Sequence, residues 1–205
     1  MSALLAHDLR SPLNVISQSV TAWDRFPDKR DRMLRIIKEN ADRALSMIEG
    51  LRQSTREIVL DRKPTDLNKL LSSIVKETKI PDKVRRHLRV NGDLSAKMID
   101  PAIIRRVLEN LIWNAIDAMP GGGNLNITAN GRHENIIIEV SDTGTGISDK
   151  DKTRIWEPFF TTKPKGFGLG LPFCRRAIEA HGGIIEFDSN VGEGTTFTIT
   201  LPNKK

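Results

Sequence analysis

A chain of 205 residues with 38% hydrophobic and 28% charged side chains carries enough apolar material for a sizeable core, which excludes a disordered chain and leaves room for one domain or two. Its 32 basic residues exceed the 26 acidic ones by six, an excess that suits an anionic ligand or plain solubility and does not imply nucleic acid. No stretch approaches the roughly 18 apolar residues of a membrane span, and Met1 to Ala6 is too short for a signal peptide, so a cytoplasmic chain is expected, with any anchor in a longer parent.

From Leu5 the apolar residues Leu5, Leu9, Leu13, Ile16, Val20 and Trp23 recur every three or four positions, the seam of an amphipathic helix that Phe26-Pro27-Asp28 ends. A second run, Leu34, Ile37, Ala41, Ala44, Ile48, Leu51, Thr55 and Ile58, repeats the pattern, with Thr55 its one interruption. Two such helices make a hairpin that cannot cover both seams alone, so a homodimer closing a four-helix bundle is expected. At about 100° per residue, His7 lies about 200° round the helix from Leu5, opposite the seam and toward solvent. Ser11, Asn14 and Gln18 share its face, a polar stripe that looks like a docking surface. Pro12 lacks the N–H that would bond to the carbonyl of Asp8, which loosens or kinks the helix beside the histidine. Taken alone, His7 reads as an ordinary exposed histidine.

Arg62-Lys63-Pro64 reads as a linker, giving a helical unit over residues 1–62 and a mixed α/β domain over 66–205. Asp100-Pro101 is a helix start, cap followed by first-turn proline, and Pro120-Gly121-Gly122-Gly123 is its end. On this otherwise apolar helix Asn110, Asn114 and Asp117 form a polar stripe, either plain helix surface or oxygen ligands for a hard cation. The run Ile136 to Val140 predicts a strand leading into Ser141-Asp142-Thr143-Gly144-Thr145-Gly146, where Asp142 could accept a hydrogen bond from an exocyclic amine and Gly144 and Gly146 would let backbone approach a base. Asp-x-Gly-x-Gly also occurs in many ordinary turns. Trp156 to Lys163 is packing aromatics with an exposed lysine, or the hinge of a lid. Gly166-Phe167-Gly168-Leu169-Gly170-Leu171 precedes a helical run from Pro172 to Ala180, so its backbone amides could receive phosphates, although it is not a Walker loop. Cys174, the single cysteine, reads as a small core residue. Gly192 to Phe197 makes a tight turn into a last strand, its hydroxyls free to meet ligand or backbone.

His7-Asp8-Leu9-Arg10-Ser11-Pro12-Leu13 resembles the H box of sensor histidine kinases, and Asn110 to Ala118 resembles their N box. Followed by the Asp142 segment, Phe159-Phe160-Thr161-Thr162-Lys163, the glycine-rich loop and Gly192-x-Gly194-Thr195, the order matches that family's core across nearly the whole chain. Asn-Ala-Ile-Asp-Ala-Met-Pro, Glu-Pro-Phe-Phe-Thr-Thr-Lys and Gly-Leu-Gly-Leu-Pro look most like its nitrogen-regulation branch. The resemblance implies a GHKL-type (Bergerat) α/β sandwich, as in gyrase and heat-shock chaperones, behind the hairpin. It makes His7 the phosphoacceptor with Asp8 orienting or deprotonating it, a role that suits a neutral imidazole. It places ATP on Asp142, Gly144, Gly146, Gly166, Gly168, Leu169, Gly170, Leu171 and Thr195, Mg²⁺ on Asn114 assisted by Asn110, and Lys163 at the phosphates. It implies onward transfer to an aspartate on the receiver domain of a separate response regulator.

Ser11 stands where the family commonly has Thr or Asn, and is the candidate for dephosphorylating that partner. His7 lies closer to the start than the family's usual first helix allows, so a sensing region is expected upstream or on another chain. Two rivals remain at this stage: an ATPase or serine kinase of the same fold for which His7 is incidental, and a scaffold that binds nucleotide without transferring phosphate.

Overall fold

The three-and-four spacing at the start of the chain folds into two helices, α1 (Ser2–Ala22) and α2 (Arg30–Thr55), joined through a 3-10 turn at Pro27–Lys29. The computed structural model describes residues 2–23, 25–55, 57–132, 134–163 and 166–203, and the chain divides into two units, Met1–Arg56 and Glu57–Lys205. Helix α1 continues through Pro12, which is buried, as are Met33 and Ala44 of α2. Leu13, Val20, Leu34, Leu45 and Ile48 remain more than half exposed. A single hairpin therefore covers only part of its apolar surface, because each helix carries a stripe wider than one neighbour can bury.

In the second unit a five-stranded sheet runs in the order β2 (Val84–Asn91), β4 (Gly123–Arg132), β5 (Asn135–Asp142), β7 (Gly194–Pro202), β6 (Ile184–Asn190). The β2–β4 pair is parallel and the others antiparallel. Strand β5 alternates throughout and β7 from Thr195 onward: Ile136, Ile138 and Val140, with Phe197, Ile199 and Leu201, are buried, while Glu139, Ser141, Thr196 and Thr198 are only partly so. Helices α3 (Leu67–Glu77), α4 (Pro101–Ala118) and α6 (Gly170–Ala180) join the buried positions in one core. A four-residue helix, α5 (Asp149–Lys152), follows the glycine-containing turn.

Helix α4 begins where the sequence indicates. Asp100 accepts hydrogen bonds from the N–H groups of Ala102 and Ile103, and Ile104, Val107, Leu108, Leu111, Ile112 and Ala115 form its buried face. Cys174 on α6 is fully buried with Sγ 3.7 Å from the Val107 carbonyl, a core residue as read from the sequence.

The segment expected to end the hairpin and serve as linker is held on the second unit. Lys63–Thr65 forms a strand, β1, antiparallel to β3 (Lys97–Ile99). The Asp61 N–H donates to Asp100 Oδ2 (2.9 Å), Arg62 donates to the Ala180 carbonyl (3.0 Å), and Ile58 packs against the core. Backbone pairing and side-chain anchors outweigh the local proline punctuation here, so residues 62–65 fold as part of the second unit. Among the described residues no helix is long and apolar enough to cross a membrane.

Candidate functional site

Four separated segments meet beside the end of β5. Alternation along that strand puts Asp142 on the helix-covered face, where it is 7% exposed. Its Oδ1 accepts from the Gly144 N–H at 2.8 Å. Burial pushes the Asp142 carboxyl above its ordinary value, against the pull of the nearby Gly144 and Thr195 backbone N–H groups and of the Lys163 charge. A buried carboxylate with acceptor capacity to spare is suited to reading a donor such as an amino group on a heterocycle.

Thr195 sits opposite Asp142 in the β5–β7 register. Gly194 makes that approach feasible: its φ is +116°, and a Cβ there would collide with the Asp142 carbonyl oxygen. The Thr195 hydroxyl lies 2.9 Å from Ser189 Oγ, which also donates to the Gly194 carbonyl and accepts from the Ile147 N–H. Ser189 therefore ties the turn after β5 to the last hairpin. Sequence reasoning missed it, because the β6 register that brings Ser189 to Thr195 leaves no local motif. Gly144 packs on Ala118 of α4, where a Cβ would come within 2.7 Å of the alanine Cβ, and Gly146 has φ +69°.

On α4, Asn110, Asn114 and Asp117 lie along one stripe, as the spacing predicts. Lys163 donates to Asn114 Oδ1 and to Asp117 Oδ2, each at 2.8 Å. These two hard oxygens converge on one point, an arrangement that could also hold a hard cation. Among the described residues no cluster of three His, Cys, Asp or Glu side chains competes for that role. Asp117 belongs to the stripe that the sequence shows, yet its partnership with Lys163 joins residues far apart in the chain.

The segment carrying Lys163 is closed at its base by the Phe159 N–H donating to the Gly168 carbonyl (2.9 Å), with Phe159 at φ +69° and Gly168 at φ +63°. A Cβ on Gly168 would collide with the Phe160 carbonyl, so the loop depends on glycine there. Gly166 lies against the Thr161 hydroxyl, and Gly170 lies beside Asn110 Oδ1, 3.2 Å from where its Cβ would stand. Leu169 caps α6 without a side-chain bond, and Leu171 packs on the core, so backbone N–H groups of the first turn remain to receive an anion. Trp156 is packing, stacked edge-on against Phe187 and Phe197.

In the first unit His7 and Asp8 lie on α1, and their side chains are outside the described residues. Ser11, Asn14 and Gln18 are exposed, as the polar stripe requires.

Residues 99–205 match the family described as histidine kinase-, DNA gyrase B-, and HSP90-like ATPase, and residues 1–58 match the His Kinase A (phospho-acceptor) domain. The chain is 31% identical over 208 residues to the sensor histidine kinase ZraS of Escherichia coli, covering 98% of this chain and 45% of ZraS. Sporulation kinase C of Bacillus subtilis is 31% identical, with 100% and 49% covered. Of solved structures, histidine kinase ThkA in complex with the response regulator protein TrrA superposes with a TM-score of 0.79 at 27% identity, covering 100% of this chain and 61% of that one. The chain spans about half the length of the curated relatives it matches.

Proposed function

Because the chain belongs to the histidine kinase-, DNA gyrase B-, and HSP90-like ATPases and carries a phospho-acceptor domain before that fold, we propose that it is the catalytic core of a sensor histidine kinase. It transfers the γ-phosphoryl of ATP to His7 and then to an aspartate of a response regulator. What supports this reading most is that buried Asp142 leads into the turn whose Gly144 packs on Ala118 of α4, the helix whose Asn114 and Asp117 oxygens hold Lys163 and whose Asn110 lies beside Gly170 at the start of α6. The H box on α1 supplies the acceptor such a site would serve.

In this reading Asp142 and Thr195 orient adenine, and the turn at Gly144 and Gly146 admits the base. Asn114, helped by Asn110, holds Mg²⁺, which supplies charge neutralisation to the triphosphate. The backbone from Gly166 to Leu171 and the Lys163 ammonium receive the phosphates. An imidazole nitrogen of His7 forms the N–P bond as the bond from the γ-phosphorus to ADP breaks, and Asp8 orients the ring or accepts its proton. The acceptor and the site belong to different units, so His7 must be brought to nucleotide held by its own subunit or by a dimer partner. The exposed Leu13, Val20, Leu34 and Ile48 support a homodimeric bundle. Ser11 is the phosphatase candidate. The Asn-Ala-Ile-Asp-Ala-Met-Pro and Glu-Pro-Phe-Phe-Thr-Thr-Lys wording supports the nitrogen-regulation branch, and ATP as donor with a lone free thiol fits the cytoplasm.

The test is incubation with Mg²⁺ and γ-labelled ATP. Acid-labile, base-stable label lost in both His7→Gln and Asn114→Ala is the expected result. Label surviving His7→Gln would remove the phosphoacceptor assignment, and tight ATP binding without label would leave a nucleotide-binding scaffold.

A further inference from the structure

Asn114 Oδ1 and Asp117 Oδ2 come from positions three apart on α4 and point at one spot, which the Lys163 ammonium fills at 2.8 Å from each. An ammonium has three donors and no acceptor, and two of them are engaged on these oxygens. We infer that this seat is shared: the Lys163 ammonium and a divalent cation are alternative occupants of the same oxygen pair, and Asp117 is the residue that latches the lid segment to α4. The identity of the competing cation rests on the ATP-site reading, whereas the latch rests on the two bonds alone.

The two occupants exclude one another for two reasons. Mg²⁺ binds oxygen at about 2.1 Å, which leaves no room for Nζ at the same point. Two positive centres sharing one pair of oxygens also repel, strongly so in a half-buried site. Metal loading must therefore expel Lys163 from α4. The lysine does not travel far, because its own N–H is bonded to Thr161 Oγ1 (3.0 Å) and the segment is pinned at its base by Phe159 and Gly168. The same cation thus passes from acid and amide oxygens on the helix to a phosphate beside them. Asp117 is a positioning residue here: it sets where the lid rests and how much metal is needed to release it.

Amide hydrogen exchange of residues 159–163 and 166–169, measured without nucleotide, tests the latch. In Asp117→Asn and in Lys163→Met the segment should exchange about 3- to 10-fold faster than in the wild type, the scale of a partly exposed ion pair with a second charge-assisted bond. The double variant should be no faster than the faster single one. Exchange in β5 and β7 serves as the folding control, and unchanged lid protection in both single variants overturns the latch. Calorimetric titration of Mg²⁺ into protein with ATP tests the shared seat. Lys163→Met should reach half-saturation at several-fold lower Mg²⁺ than the wild type, even as its ATP affinity in excess Mg²⁺ falls. An equal or higher Mg²⁺ requirement overturns the shared seat. A wild-type protein that fails to bind ATP would strike the nucleotide reading, while the exchange experiment still decides the latch.

Discussion

Thr195 faces the buried Asp142 directly across the β5–β7 ladder. The last strand of the domain thus flanks the acid, while the Gly144 N–H holds it from the turn. Burial raises the Asp142 pKa above the ordinary 3.8, so the folded state keeps this proton longer than the unfolded chain does. The stability from that proton is present below 3.8 and is lost as pH rises through the folded value. Asp142→Asn should abolish this acid-side slope and hold wild-type stability at pH 7 to within about 1 kcal/mol. ATP affinity should fall at least about 10-fold, the scale of one lost charge-assisted bond. Thermal unfolding across pH and calorimetric ATP titration measure the two effects.

Gly194 and Gly192 offer a controlled pair. Both have positive φ, but a Cβ on Gly194 meets the Asp142 carbonyl, whereas one on Gly192 meets nothing within 4 Å. Gly192→Ala should therefore cost only the backbone term, about 1 kcal/mol. Gly194→Ala should cost about 3 kcal/mol or more and weaken ATP binding, because β7 must shift from Asp142. Urea denaturation of the two variants checks the difference.

Much of this site is legible in the sequence because its chemistry is written in short segments with strong local geometry. Asp100-Pro101 fixes the start of α4 to the residue, and with it the common face of Asn110, Asn114 and Asp117. Alternation from Ile136 to Val140 places Asp142 on the buried face. What could not be read is whatever depends on pairing between distant strands. Ser189 reaches Thr195 only through the β6–β7 register, and Lys163 reaches Asp117 only once its segment packs beside α4. The strand at residues 63–65 has the same origin. Lys63-Pro64-Thr65 looks like punctuation, yet β3, itself three residues long, recruits it into a ladder.

Cys174 gives a direct probe of core integrity. Burial pushes its thiol up to about 12, so almost no thiolate is present near neutral pH and reagent has no path to it. In the native protein at pH 8 an aromatic disulfide reagent should leave Cys174 unreacted over minutes, with one equivalent reacting at once in denaturant. The native rate should track the unfolding equilibrium, rising in Gly194→Ala far more than in Gly192→Ala.

His181 should give the domain a stability that depends on pH near neutrality. It is 3% exposed at the end of α6, its Nε2 accepts the Asp100 N–H at 3.1 Å, and its Nδ1 lies 2.7 Å from the Ala177 carbonyl. That pattern requires the proton on Nδ1 and a neutral ring. Burial foremost, with the nearby Arg62 charge, lowers its pKa below 6.5, against the Ala177 carbonyl and the Asp100 charge. A lowered histidine contributes stability that is present above 6.5 and is lost as pH falls through the folded value. Asp100 itself is held below 3.8: burial, its largest single influence, opposes this, but the Ile103, Asp61 and Ala102 N–H groups together with His181 outweigh it. Its contribution therefore survives until stronger acid, and the histidine should give way first. Wild-type unfolding free energy should decline below pH 6.5 by at most about 1.4 kcal/mol per pH unit, the slope of one proton. His181→Gln, whose amide oxygen can still accept the Asp100 N–H, should lose that decline while keeping the one at lower pH. Because the Asp61 N–H and the Arg62 side chain attach at the same place, protease sensitivity of residues 57–65 should rise over the same pH range in the wild type and stay level in the variant.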